Sequence, residues 1–225
     1  MLALAWPNDG SLWRGARLLE RELQRAGAAP DALAAGHSAG GLVLRTWAQC
    51  LGGAPARLAT VGTPHGGSEL APLAVALELS GLPNADALRR RFADGGGQLR
   101  RDLRPGSLAL LRLDRCPPPA CPVLALRGRL PGATRWAAAS VAWGAGLRAL
   151  APRLRAVPEL VPLAAWLEQQ PFPPQLSAGD GAVACAAATP GFACREREFP
   201  LDHLRLMHDP AVLDALAEFF TASAP

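Results

Sequence analysis

The chain has 225 residues, half of them apolar, with a formal charge of +4 and a mean hydropathy of +0.12. That length supports one well-buried core and is short for two domains, so 1–225 reads as a single domain. The sequence lacks Lys, Ile and Tyr, a bias that GC-rich coding explains, and its arginines are scattered; Arg89-Arg90-Arg91 and Arg100-Arg101 read as solvated helix faces rather than a nucleic-acid patch.

In chain order, Leu2–Trp6 is a short strand candidate ending at Pro7. Residues 1–10 carry no signal-peptide pattern, no charge-free stretch is long enough to span a bilayer, and the compartment is left open. Ser11 is placed to cap a helix over 12–26, with Leu12, Ala16, Leu19, Leu23 and Ala26 on one face. Ala32–Gly36 reads as a buried strand that runs into Gly36-His37-Ser38-Ala39-Gly40 and an apolar helix through Leu51. Arg57–Gly62 is the next strand and leads into Gly62-Thr63-Pro64-His65-Gly66-Gly67-Ser68. Residues 69–120 mix helix and loop, and Pro122–Arg127 is another strand. Residues 129–176 break the rhythm; Trp136, Ala139, Trp143, Leu147, Leu150 and Leu154 recur at helical spacing. A weak strand is expected at Ala182–Ala186 and a charged one at Arg195–Phe199. Asp209 and Pro210 open the last helix, with Leu213, Leu216 and Phe220 predicted to face inward. Short apolar strands alternating with amphipathic helices predict an α/β protein with a mostly parallel sheet and helices on both faces.

Five cysteines supply no metal-site spacing, because no His lies at ligand distance in sequence from any pair. Local disulfides Cys116–Cys121 and Cys185–Cys194, with Cys50 unpaired, are one expectation for an exported chain; five free thiols are the other. No metal or cofactor is expected.

Gly36-His37-Ser38-Ala39-Gly40 is the central signal. A serine hydroxyl needs a base to take its proton and a geometry that offers its oxygen to base and substrate together. A sharp strand-to-helix turn does this at the cost of crowding, which small residues two before and two after the serine relieve. Ser38 is therefore the candidate nucleophile. With the order Ser, acid, His, His37 and His65 come too early to be the base. His203, in the loop before the last helix, is favoured; His208 adjoins that helix's cap and reads as a surface residue. Asp180, in a Gly-flanked turn, is the favoured acid. Asp202 adjoins His203 in sequence and faces the same imidazole poorly, and Asp114 is a distant alternative.

These residues resemble the α/β-hydrolase lipases and esterases, particularly bacterial members with a Gly-Thr-Pro-His-x-Gly-Ser segment, here Gly62 to Ser68. Asp102-Leu103-Arg104-Pro105-Gly106-Ser107, Gly179-Asp180-Gly181 and the run from His203 to Pro210 also resemble segments of that family. The resemblance implies Ser38, Asp180 and His203 as the triad and the Ala39 N–H as one oxyanion donor. It implies a small-molecule or lipid ester as substrate. Compared with the family, the chain is expected to lack the preceding strand, whose His-Gly loop supplies the second oxyanion contact. Taking Leu2–Trp6 as that strand, with Asn8-Asp9-Gly10 as the loop, is the less favoured alternative. An impaired, partner-binding relative and an acyltransferase are the competing functions. Residues 129–176 are expected to be a helical insertion, either a cap over the site making interfacial contact or a helix pair packed on the core.

Overall fold

A computed structural model describes residues 10–29, 31–68, 97–130 and 178–222, with Ala3, Ala71, Arg155, Pro158, Val161, Ala164 and Ala165 as isolated positions. In chain order these form α1 (Leu12–Arg25), β1 (Leu33–His37), α2 (Ala39–Cys50), β2 (Arg57–Val61), α3 (Gly97–Asp102), α4 (Leu108–Asp114), β3 (Val123–Gly128), β4 (Arg195–Phe199), a 3-10 turn (Arg205–Met207) and α5 (Pro210–Thr221). The strands lie in the order β1-β2-β3-β4, every pair parallel. The strand candidate Leu2–Trp6, the triple arginine at 89–91 and the helical face predicted within 129–176 fall outside the described residues.

Strand alternation sends successive side chains to opposite sheet faces, and each face has its own core. On one side Leu58 and Val123 pack with Leu12, Ala16 and Leu19 of α1, Leu42 and Trp47 of α2, and Leu110 and Leu113 of α4. On the other, Ala59, Val61, Leu124 and Leu126 meet Leu206 and the Val212, Ala215 and Phe219 side of α5. Fully burying one such Leu contributes about 1.5–3 kcal/mol. Helices thus cover both faces, as the alternating pattern predicts.

The starts of α1 and α4 are closed by side chains. Ser11 Oγ accepts from Arg14 N (3.2 Å), and Asp102 Oδ2 accepts from Leu12 N (2.9 Å) across 90 residues of sequence. Ser107 Oγ accepts from Leu110 N at the start of α4 and donates to the Asp102 carbonyl. The Asp102–Ser107 segment therefore ties α1 to α3 and α4.

Several expectations are corrected. The first helix ends at Arg25, leaving Ala26 exposed beyond it. The strand β1 is only half-buried, with Leu33 54% exposed, because no described strand pairs with its outer edge. Ala182–Ala186 is a series of turns with one antiparallel bridge, Gly179 to Ala184. Its Ala182 and Val183 N–H groups donate to the Asp180 carboxylate instead of a strand ladder. The buried stripe of α5 is Val212, Ala215 and Phe219, with Leu216 and Phe220 on its flank and Leu213 48% exposed. Two apolar stripes overlap on that helix, and the sheet takes the one shifted by a residue.

The cysteine pairing is the largest correction. Cys50, at the end of α2, is bonded to Cys116, just past α4, with Cα atoms 6.1 Å apart; Cys121, Cys185 and Cys194 are free. Neither local pair forms. Closing a loop across 66 residues restricts the unfolded chain, worth about 4.3 kcal/mol in the chain-entropy account. Replacing both Cys50 and Cys116 with Ala should lower the unfolding free energy by about that amount in urea titrations. Thiol titration of the unreduced, denatured protein should return three thiols; a count of five would contradict the pairing.

Candidate active site

Ser38 joins β1 to α2 at φ 53° and ψ −130°, making it the sole non-glycine with positive φ among the described residues. Such a conformation costs about 1–3 kcal/mol and persists only where its surroundings enforce it. Ser38 N donates to Val61 O (2.8 Å), which pins the turn to β2. A Cβ on Gly36 would lie 2.7 Å from the Gly40 carbonyl and Gly41 N, so only glycine lets β1 and the start of α2 come this close. The second small residue is required one position later than the pattern predicts. A Cβ on Gly40 would meet nothing within 4 Å, whereas one on Gly41 would collide with Thr63.

A serine at a helix N-cap ordinarily turns its hydroxyl onto the helix's own N–H groups. Ser38 makes no such bond; its Oγ lies 3.0 Å from His203 Nε2. His203 Nδ1 lies 2.8 Å from Asp180 Oδ2. A carboxylate only accepts, so Nδ1 carries the proton and Nε2 offers its lone pair to the serine hydroxyl. The side chain of Asp180 is 1% exposed and that of His203 is 15% exposed. The acid is sealed, and the imidazole keeps an open edge.

Asp180 is held on every side. Its Oδ1 accepts from Ala182 N (2.9 Å) and Val183 N (2.7 Å), and its carbonyl accepts from His203 N (2.9 Å). Leu130 N donates to Gly179 O (2.8 Å), Ser68 Oγ to Ala182 O (2.8 Å) and Gly66 N to Ala187 O (2.9 Å). The Gly62–Ser68 segment is thus the brace of the acid turn. At the C-terminal ends of β2 and β3, Gly62 and Gly128 leave the room that Asp180 and His203 occupy. A Cβ on Gly62 would sit 3.2 Å from both Asp180 Oδ2 and His203 Nδ1, and one on Gly128 would sit 2.8 Å from the Asp180 Cβ.

Ala39 opens α2, where the first N–H groups have no carbonyl of their own helix to bond and are available to an anion. The structure places the other candidates elsewhere. His208 is exposed and ends the 3-10 turn, Asp202 caps that turn through Leu204 N and Arg205 N, and Asp114 accepts from Arg45 Nη2 (3.1 Å). A cleft of about 650 Å³ runs along α1 past Trp13, Arg14, Arg17, Arg21 and Arg112, away from Ser38, Asp180 and His203. Among the described residues, no group of three His, Cys, Asp or Glu side chains could hold a metal ion, and no helix is long and apolar enough to cross a membrane.

Two histidines set aside as bases hold structure around the site. His65, 2% exposed, receives Arg45 Nη1–H on Nδ1 (3.1 Å) and donates Nε2–H to Thr60 Oγ1 (3.1 Å). Burial first, and the Arg45 charge second, push its pKa well below 6.5. His37 approaches His203 directly, with ring centroids 4.6 Å apart. The His65 network joins α2 to the Gly62–Ser68 segment. His65 lies in the Gly62–Ser68 segment that the sequence singles out, but its contact with Arg45, like that of His37 with His203, joins separate elements.

No family model and no curated relative matches the chain. Solved structures do. A Bacillus licheniformis lipase, BlEst2, in its mature form aligns with 95% of this chain and 76% of its own, at 19% identity and a TM-score of 0.58. The propeptide form of that lipase aligns at 17% identity with a TM-score of 0.59, and this chain spans 42% of it. A Legionella pneumophila phospholipase, PlaB, aligns with 96% of this chain and 49% of its own, at 14% identity and a TM-score of 0.53. At these identities the likeness is one of fold.

The His65 environment has a consequence for stability. The unfolded chain protonates this imidazole near pH 6.5 while the folded chain keeps it neutral, so below that pH the unfolded state binds the extra proton. Its contribution is complete above pH 6.5 and is lost as pH falls, at about 1.4 kcal/mol per pH unit. In urea titrations at pH 7.5, 6 and 5 the parent chain should lose stability with acid more steeply than His65→Gln, by up to about that amount, whatever the variant's absolute stability. Equal slopes in both proteins would contradict the assignment.

Proposed function

We propose that this chain, which has the α/β-hydrolase fold, is a serine hydrolase that cleaves carboxylic esters through an acyl-enzyme on Ser38. The observation that carries this reading is the Ser38 hydroxyl. It is withheld from helix capping by a strained backbone and instead lies 3.0 Å from an imidazole whose other nitrogen is held by a buried carboxylate. A serine needed only to cap a helix gains nothing from that arrangement.

In the proposed reaction, His203 Nε2 takes the Ser38 proton as Oγ attacks the ester carbonyl. Asp180 keeps the proton of Nδ1 in place and stabilises the imidazolium that forms. The carbonyl oxygen becomes an oxyanion received by the Ala39 N–H, where one donor is worth roughly 100- to 1000-fold in turnover. The tetrahedral adduct then collapses as His203 gives its proton to the leaving alcohol. Water repeats the sequence: it is deprotonated by His203 and attacks the acyl-Ser38 carbonyl, and His203 returns the proton to Ser38 Oγ as the carboxylic acid leaves. The chemistry uses side chains and backbone alone. An ester, rather than another acyl compound, is supported by the fold likeness to a lipase and a phospholipase.

Hydrolysis of p-nitrophenyl butyrate tests this. Ser38→Ala and His203→Ala should each lower kcat by about 10⁴- to 10⁶-fold, and Asp180→Asn by about 10⁴-fold. His208→Ala should stay within about twofold, since surface changes of this kind move energies by under about 0.5 kcal/mol. Loss of turnover in His208→Ala with full activity in His203→Ala would overturn the assignment of the base.

A further inference from the structure

We propose that His37 is a positioning residue for the base: it donates its Nε2–H to the His203 carbonyl and fastens the base's loop to the residue next to the nucleophile. This rests on the reading of Ser38 and His203 as nucleophile and base.

Alternation along β1 puts Leu33, Ala35 and His37 on the face shared with their β2 partners Arg57, Ala59 and Val61. Ala59 and Val61 belong to the core beneath α5 and Leu206, and Leu206 is three residues past the base. His37 is therefore the β1 side chain that both points toward the base loop and adjoins Ser38. Its Nε2 lies 2.9 Å from His203 O, and its ring tilts 47° against the His203 ring. A carbonyl only accepts, so Nε2 carries the proton. Every polar group of His203 is then engaged. Its N–H goes to Asp180 O, its Nδ1 to Asp180 Oδ2, its Nε2 to Ser38 Oγ and its carbonyl to His37. Three of these bonds tether the base to the acid or the nucleophile. The fourth, from His37, fixes the loop backbone and hence the reach of the imidazole toward Oγ, where a small displacement costs turnover steeply.

The contact also sets a charge requirement. The titratable groups facing His37 are His203 and Asp180. Burial first, and the neighbouring His203 second, lower the His37 pKa from 6.5, which keeps its ring neutral beside a base that becomes cationic in each half-reaction. When His37 does take a proton, its charge opposes the cation that forms on His203 during each half-reaction, so turnover falls.

Initial rates on p-nitrophenyl butyrate, taken immediately after dilution from pH 7 into buffers between pH 8 and 4.5, separate the cases. In the parent chain, log kcat/KM should fall more steeply with acid than in a chain whose residue 37 cannot titrate, because a proton on His37 opposes the cation that forms on the base. His37→Gln can still present an amide N–H to the carbonyl and cannot titrate. It should retain turnover within about threefold and fall less steeply than the parent. His37→Phe keeps a ring and loses the bond, and should lower kcat about tenfold with little change in KM, as expected for one net hydrogen bond. An equally steep fall in His37→Gln and the parent, or unchanged kcat in a folded His37→Phe, would overturn the proposal. Should the Phe variant fail to fold, the comparison of slopes between parent and Gln variant decides alone. A parent chain without ester turnover would instead refute the function on which the proposal rests.

Discussion

The close approach of β1 to the first turn of α2 sets the geometry on which the rest depends. At 2.7 Å from any Cβ on Gly36, the Gly40 carbonyl leaves no room for another residue, and Ser38 is carried through φ 53° between them. That conformation withdraws the hydroxyl from the helix and sends it toward the sheet's C-terminal edge. Its cost is offset by what it anchors: Ser38 N bonds β2, and Leu42 and Trp47 of α2 sit deep in the core on one sheet face. From the same helix, Arg45 reaches the His65 network and Cys50 is bonded to Cys116. A change that relaxed the turn would shift all of these contacts together.

Opposite the turn, Asp180 and His203 sit over the ends of β2 and β3, where Gly62 and Gly128 replace side chains with space. The site is thus built from strand ends of a parallel sheet, the place where this architecture gathers loops. The rigid part is the acid. Asp180 is buried with both carboxylate oxygens bonded, and its turn is braced by Ser68, Gly66 and Leu130. His203 is more exposed and carried on a short loop, flanked by Leu204 and Met207 at 67% and 55% exposure. In the proposed reaction, a firmly held acid with an accessible base suits a group that must exchange protons with an entering and a leaving molecule.

Much of this could be read before the structure because each signal was local. A glycine-framed serine between strand and helix, a Gly-flanked aspartate and an Asp-Pro helix start each declare themselves within a few residues, and the structure brings Ser38, Asp180 and His203 within hydrogen-bond reach. Features that depend on distant partners could not be read this way. Disulfide connectivity is not encoded in spacing, so Cys50 and Cys116 paired across a long loop in place of either near pair. The buried side of α5 was ambiguous because two apolar stripes overlap there, and only contact with Leu124 and Leu126 selects one. Ala182–Ala186 has the composition of a strand, yet the carboxylate it surrounds takes its N–H groups. The contacts of His37 with His203 and of His65 with Arg45 join elements that are separate in sequence, and no spacing rule announces them.

The central claim is that Ser38 is an activated nucleophile. Reaction of the purified chain with a fluorophosphonate probe measures this directly, because the probe forms its bond only with a serine whose proton a neighbouring base removes. The account predicts stoichiometric labelling at Ser38, absent in Ser38→Ala and strongly slowed in His203→Ala. A folded chain that stays unlabelled, or one labelled equally in Ser38→Ala, would contradict it.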